Sequence, residues 1–396
     1  MDPAAVTASF DTLTPELLRQ RGSLKWTWRP GTLGAWVAES DLGTAPVVTE
    51  ALQQAVADGT LGYLPPQLAQ QVATATAEFQ ASRYGWQVSA QEVSLLPDVL
   101  SSLRAVLERH SRPGADVIVP TPAYMPFLTI PAQHGRRCVQ VPALKDSGAD
   151  GGPRWSLDLE GIERAMRDGA GVLVLCNPWN PVGRVLSAAE LDAVASLSAR
   201  YGVTVFADEI HGPLVLDPAL RHVPYASRPG ADPALTFTAT AVSKGWNVAG
   251  LKCAQLIASG GARTRWESSP LSRHLEMEAS ILGARAAVAA LSPDGVAWLE
   301  VLRGYLWGNV GLWSQQLAQL PGVEPTRPEG TYLAWLDLAG TRAAASPAEH
   351  LLRAARLVVN DGRSCGTGYE SCCRVNLATS RTVLAQIIQG ISQAVS

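Results

Sequence analysis

Leu235-Thr236-Phe237-Thr238-Ala239-Thr240-Ala241-Val242-Ser243-Lys244-Gly245-Trp246-Asn247 is the stretch that decides how this chain is read. Residues 235–240 are apolar and β-branched, the pattern of a buried strand. A second strand is expected at Leu251–Ile257, after Gly250. Between them stands Lys244. An ammonium is strongly hydrated and is rarely set against a core without a partner. The chain spends lysine sparingly: Lys25, Lys145, Lys244 and Lys252 are the four among 32 basic residues. A desolvated lysine can lose its proton and arginine cannot, so an amine with chemistry to do fits this position. A surface lysine at a strand end fits the same local pattern, and these residues alone do not choose between the two.

Outward from this point, short apolar runs alternate with helical segments. Strands are expected at 117–119, 137–141, 172–176, 203–207, 235–241 and 251–257, with helices at 99–110, 158–167 and from Ser187 to Arg200. Ser187-Ala188-Ala189-Glu190 is a capping box, and Thr121-Pro122 reads as a helix start. Upstream, Pro46 opens a helix over Val47–Val56, and Gln67–Arg83 forms another. The alternation predicts an α/β domain whose mostly parallel central sheet is covered by helices on both faces. After about residue 270 the pattern changes. Ser272–Leu291 and Val296–Leu317 read as two long helices, followed by strand 331–338, helix 347–356, strand 373–377 and helix 381–394, a smaller α+β domain. Residues 1–45, with Pro3, Pro15 and Pro30, read as an irregular N-terminal segment that joins the small domain and dimer contacts. The expected division is therefore 1–45, 46–285 and 286–396.

Length and composition narrow the possibilities. With 396 residues, 47% hydrophobic, 17% charged and a net charge of −3, this is a globular chain large enough for two domains. No long basic run suggests nucleic acid or an anionic membrane as partner. No apolar run nears the roughly 20 residues of a membrane span. Met1–Val6 lacks a basic-then-apolar leader, which predicts a cytoplasmic protein. The six cysteines (138, 176, 253, 365, 372 and 373) are scattered, without a Cys-x-x-Cys pair, and read as free thiols. Neighbouring Cys372 and Cys373 should face opposite sides of a strand, which argues against a shared metal.

Ligands of an open parallel sheet bind beyond the carboxyl ends of its strands. The residues expected there are Thr121-Pro122-Ala123-Tyr124, Asn177-Pro178-Trp179-Asn180-Pro181-Val182-Gly183, Asp208-Glu209-Ile210-His211 and Ser243-Lys244. Pro97-Asp98-Val99-Leu100, before helix 99–110, offers free backbone N–H groups that suit an anion. Each residue has a plainer reading: Asp208 as a helix cap, Asn180 as a turn residue, Tyr124 as a core aromatic, His211 as a satisfied histidine. Together they supply an amine, a buried carboxylate, an amide, an aromatic plate and a phosphate-sized anion site. Those are the needs of pyridoxal 5′-phosphate, whose ring works as an electron sink when its nitrogen is kept protonated.

In this order, with Tyr63 upstream and Arg374 downstream, the motifs resemble fold-type I pyridoxal-phosphate enzymes of the class I/II aminotransferase superfamily. Trp36-Val37-Ala38-Glu39-Ser40-Asp41, Asp208–His211, His222-Val223-Pro224-Tyr225 and Glu329–Asp337 resemble the MalY/PatB-type cystathionine β-lyases, which cleave carbon–sulfur bonds. The resemblance runs from about residue 10 to 390. It implies that Lys244 forms the Schiff base, Asp208 pairs with the pyridinium and Tyr124 stacks on the ring, the three forming the catalytic set. It implies that Asn180 meets the cofactor's phenolic oxygen and that the Val99 and Leu100 amides hold its phosphate. The same resemblance would set Ser243 and Lys252 close to that phosphate and His211 near the ring. Arg374 would clamp the substrate carboxylate in its bidentate fork, with Asn180 and Trp36 beside it. Tyr63 would reach the neighbouring subunit's phosphate, which makes the protein a homodimer with shared sites.

The chain departs from the family pattern at Val182, Ala241 and Lys252, at Ser40-Asp41-Leu42, and in the loop Asn360–Glu370. Ala241 lacks a hydroxyl that relatives often offer the phosphate. The expected activity is β-elimination from an S-substituted L-cysteine, giving thiol, pyruvate and ammonia. The alternatives are transamination, or decarboxylation-coupled oxidative deamination, of a cysteine conjugate in a specialised biosynthesis, and a regulatory protein that binds the cofactor without turnover.

Overall fold

A computed structural model describes residues 2–148 and 152–395. Seven strands form the central sheet, in the order Val93–Leu96, Ala254–Ile257, Thr236–Thr240, Thr204–Asp208, Val172–Cys176, Val117–Thr121 and Cys138–Pro142. Ala254–Ile257 runs antiparallel to both its neighbours, and the other pairings are parallel. The strands Val117–Thr121, Thr204–Asp208 and Thr236–Thr240 are buried along their whole length. Burial on both faces explains why they read as unbroken apolar runs rather than alternating ones. A second, antiparallel sheet is ordered Glu324–Pro325, Leu333–Asp337, Cys372–Asn376 and Asn360–Asp361. Cys372 and Cys373 do face opposite ways, each packed into a different apolar cluster. Among the described residues no helix is long and apolar enough to cross a membrane.

Several expectations need correction. The N-terminal segment is not irregular: Pro3–Asp11, Pro15–Arg21 and Leu24–Thr27 are helices. Pro3 and Pro15 each stand at a first helical position, where a missing N–H costs nothing. Asp2 and Thr14 cap these helices, accepting from the amides of Ala4 at 2.9 Å and Leu17 at 3.3 Å. The span Ser272–Leu291 is two helices, Pro270–Glu276 and Ile281–Ala290, because Ser280 starts the second by accepting from the Gly283 amide at 3.3 Å. Thr121-Pro122 closes a strand and the helix begins later, at Met125–Gln133. Lys252 precedes its strand, which starts at Ala254, and has a left-handed backbone with φ 54°. An unexpected hairpin pairs Leu144–Ser147 with Pro153–Ser156.

Candidate active site

Strand register brings the site together. Asp208 lies beside Cys176 on one neighbouring strand and beside Ala239 on the other. The chain therefore leaves these three adjacent strands at one level, and Asn177–Asn180, Asp208–His211 and Ala241–Lys244 emerge side by side. The Asn180 loop is held by the Trp179 indole, which donates to the Pro122 carbonyl at 2.9 Å, and by the Gly183 amide, which donates to the Trp179 carbonyl at 2.8 Å. Gly183 has φ 79°, and a Cβ there would meet Pro328 at 2.7 Å, so only glycine closes this turn.

These residues surround a cavity of about 300 Å³. Of the residues singled out in the sequence, Trp36, Val99, Leu100, Tyr124, Asn180, Asp208, His211, Ser243, Lys244, Lys252 and Arg374 all line it. Tyr63 does not line the cavity of its own chain and stands 96% exposed. Arg374 arrives from the second sheet, where it pairs with Trp335 on one side and Asn360 on the other. Its Nη1 donates to Asn180 Oδ1 at 3.1 Å and its Nη2 to the Trp36 carbonyl at 2.9 Å.

Desolvation sets the charges. Burial lowers the Lys244 amine to about 8, with the nearby Arg374 guanidinium adding to the shift and Asp208 opposing it. Burial lifts the Asp208 carboxyl to about 7, against a hydrogen bond from the Ile210 amide and the pull of Lys244. His211 is held far below its ordinary value, first by burial and then by Lys244 and Arg374, so its ring is neutral. Burial also raises the Tyr124 hydroxyl.

Trp36, Val37 and Ala38 line the cavity, and the motif around Trp36 did not reveal that backbone carbonyls of this segment hold the site's side chains. Lys244 Nζ donates to the Ala38 carbonyl at 2.9 Å, and the Tyr332 hydroxyl donates to the same oxygen at 3.1 Å. Asn376 Nδ2 donates to the Val37 and Glu39 carbonyls, both at 2.7 Å. Asn247, in a left-handed backbone that asparagine tolerates, accepts from the Ser40 amide and donates to the Ser40 carbonyl, both at 2.9 Å. Such carbonyl acceptors carry no residue-type signature. The Asn360 side chain is a further wall residue that the motifs did not single out.

The chain belongs to the aminotransferase class I and II family, whose sequence pattern matches residues 37–391. It is 37% identical over 382 residues to the cystathionine β-lyase of Corynebacterium glutamicum, covering 96% of this chain and 98% of that one. It is 30% identical to the cystathionine β-lyase PatB of Bacillus subtilis, covering 92% of each. A solved structure from Corynebacterium diphtheriae, assigned as a PLP-dependent β-cystathionase, superposes with a TM-score of 0.86 at 35% identity, covering 96% of this chain and 98% of that chain. The fold is thus the fold-type I architecture, as the motifs implied, and pyridoxal phosphate is the cofactor of this family.

The cavity suits that cofactor. Its wall carries two buried nitrogens without a partner, His211 Nδ1 and Arg374 Nε. A deprotonatable amine and a buried carboxylate line the same space, and the helix Val99–Arg109 begins at its wall with Val99 and Leu100, whose first-turn amides have no partner within the helix.

Proposed function

We propose that this chain is a pyridoxal-phosphate-dependent carbon–sulfur β-lyase, cleaving an S-substituted L-cysteine to a thiol, pyruvate and ammonia. The observation that carries this reading is the convergence of Lys244, Asp208, Asn180 and Arg374 on one buried cavity in a chain similar throughout to cystathionine β-lyases. The bound cofactor supplies an electrophilic carbon for an amine and a protonated ring that draws electrons from a broken bond at Cα.

The chain's residues do the rest. Lys244 would hold the cofactor through its amine, and the lowered basicity of that amine, when free, would let it take the substrate's Cα proton as general base. Asp208 stands where a carboxylate balances a protonated ring nitrogen. Asn180 would offer its amide to the phenolic oxygen, Tyr124 would cover the ring, and the Val99 and Leu100 amides would meet the phosphate with Ser243 and Lys252. Arg374 exchanges the Trp36 carbonyl for the substrate carboxylate, a stronger charged partner. Loss of the Cα proton and breakage of the Cβ–S bond release the thiol, and hydrolysis of the remainder gives pyruvate and ammonia.

The chain acts as a homodimer in this reading, with Tyr63 of one protomer reaching the phosphate end of its partner's cavity; the exposed Tyr63, Leu61 and Val56 support it. The division into a 46–285 cofactor domain and a 286–396 small domain, with 1–45 joined to the latter, is supported by Leu33–Gly34 pairing with Leu357–Val358. The test is product analysis of the purified enzyme over a panel of cysteine S-conjugates, scoring thiol, pyruvate, aldehyde and CO2 together. Thiol and pyruvate in equal amounts are expected. Keto acid without thiol points to transamination, aldehyde with CO2 points to oxidative deamination, and either outcome overturns the lyase reading.

A further inference from the structure

Asp98 brings a negative charge to the end of the cavity that receives a phosphate. It caps the helix Val99–Arg109, and its Oδ1 accepts from the Ser101 amide and hydroxyl, both at 2.8 Å. Its Oδ2 accepts from Lys252 Nζ at 3.0 Å. Asp98, Val99, Leu100, Ala241, Ser243 and Lys252 all line the cavity. The Ser101 amide, a natural anion donor of the first turn, is therefore taken by the chain's own carboxylate. Ala241 brings no hydroxyl. Lys252 brings an ammonium to this end, and Asp98 offsets its charge.

We propose that Asp98 competes with the cofactor's phosphate for Lys252, and that the pair loosens the hold on pyridoxal phosphate so that loading follows cofactor supply. The inference rests on the cofactor assignment above and goes beyond it. Phosphate and Asp98 carry like charge, so Lys252 cannot serve both fully. What remains for the phosphate is the Val99 and Leu100 amides, the Ser243 hydroxyl, the helix dipole and, in the proposed dimer, Tyr63 of the neighbouring protomer. Replacing Asp98 by asparagine keeps a strong helix cap and removes only the charge.

The experiment compares four full-length, cofactor-stripped proteins: wild type, Asp98→Asn, Lys252→Ala and the double variant. Each is titrated with pyridoxal phosphate, and binding is read by the visible absorption band and by protein fluorescence. The same titration is run with pyridoxal, which lacks the phosphate, and with inorganic phosphate as competitor. Asp98→Asn should bind pyridoxal phosphate about tenfold more tightly and Lys252→Ala about tenfold more weakly, a change expected for one unit charge at a half-exposed site. The double variant should fall between them, and pyridoxal affinity should stay the same in all four. Equal or weaker binding by Asp98→Asn overturns the inference, as does a parallel change for pyridoxal. A wild-type chain that binds no pyridoxal phosphate overturns the functional reading as well, so the two failures are distinct.

Discussion

Lys244 is defined by what surrounds it rather than by its neighbours in sequence. Its amine sits near 8 instead of the ordinary 10.5 because burial disfavours the ammonium. Only the neutral amine attacks a carbonyl carbon. The rate at which stripped protein takes up pyridoxal phosphate should therefore climb about tenfold per pH unit and level off above about 8, followed by stopped-flow absorbance. A rise continuing toward pH 10.5 would mean an ordinary, solvated lysine. Lys244→Ala should lose about 10³-fold or more in kcat, the scale of a missing general base, and should not acquire the visible colour of the bound cofactor.

Asp208 gives a thermodynamic counterpart. Its carboxyl rises from 3.8 to about 7, so between these values the folded chain keeps a proton that the unfolded chain has released. Its contribution to stability is full below 3.8 and is lost as pH rises through about 7. Asp208→Asn lacks this slope. In cofactor-free protein the variant should gain on wild type by a few kcal/mol, roughly, from pH 4 to pH 8 in urea unfolding. A difference independent of pH would contradict the assigned burial. At this scale the lining of the cavity was legible in the sequence for the side chains of the motifs, but not for Asn360, nor was the support from Asn376. The carbonyls of Ala38 and Trp36, which hold Lys244 and Arg374, were illegible because every residue has a carbonyl.

Elements follow their capping chemistry more closely than their composition. Pro46 was readable as a helix start, yet Pro3 and Pro15 sit at the same position after Asp2 and Thr14 and read as breakers. Ser280 hides a helix start inside an alanine-rich run whose periodicity continues across the gap. The N-terminal helices matter because they carry Lys25, whose ammonium meets Asp41 at 2.8 Å with both side chains buried. Asp41 also accepts from the Trp26 indole at 2.8 Å. The pair anchors the end of the segment whose carbonyls hold Lys244 and Arg374, and at its start the Trp36 indole donates to the Lys25 carbonyl at 3.3 Å. Lys25→Met strands the Asp41 charge and should cost about 3–5 kcal/mol in denaturant unfolding. A loss under 1 kcal/mol, roughly that of a surface pair, would show that the anchor is dispensable.

Across the whole molecule, two sheets divide the work. The parallel sheet delivers Asn180, Asp208 and Lys244 from adjacent strand ends, and the antiparallel sheet delivers Arg374. The alternation of strands and helices made the first sheet readable, since buried parallel strands are uniform apolar runs. The short edge strands Glu324–Pro325 and Asn360–Asp361 were not, because two residues carry no period. The central claim is that this convergence performs carbon–sulfur β-elimination. The most direct measurement follows purified, cofactor-loaded enzyme with an S-substituted L-cysteine, quantifying thiol and pyruvate in the same reaction beside the Lys244→Ala variant. Equal, continuous release of both by the wild type and none by the variant is predicted. Keto acid formation with the carbon–sulfur bond intact, or thiol release undiminished in Lys244→Ala, would contradict it.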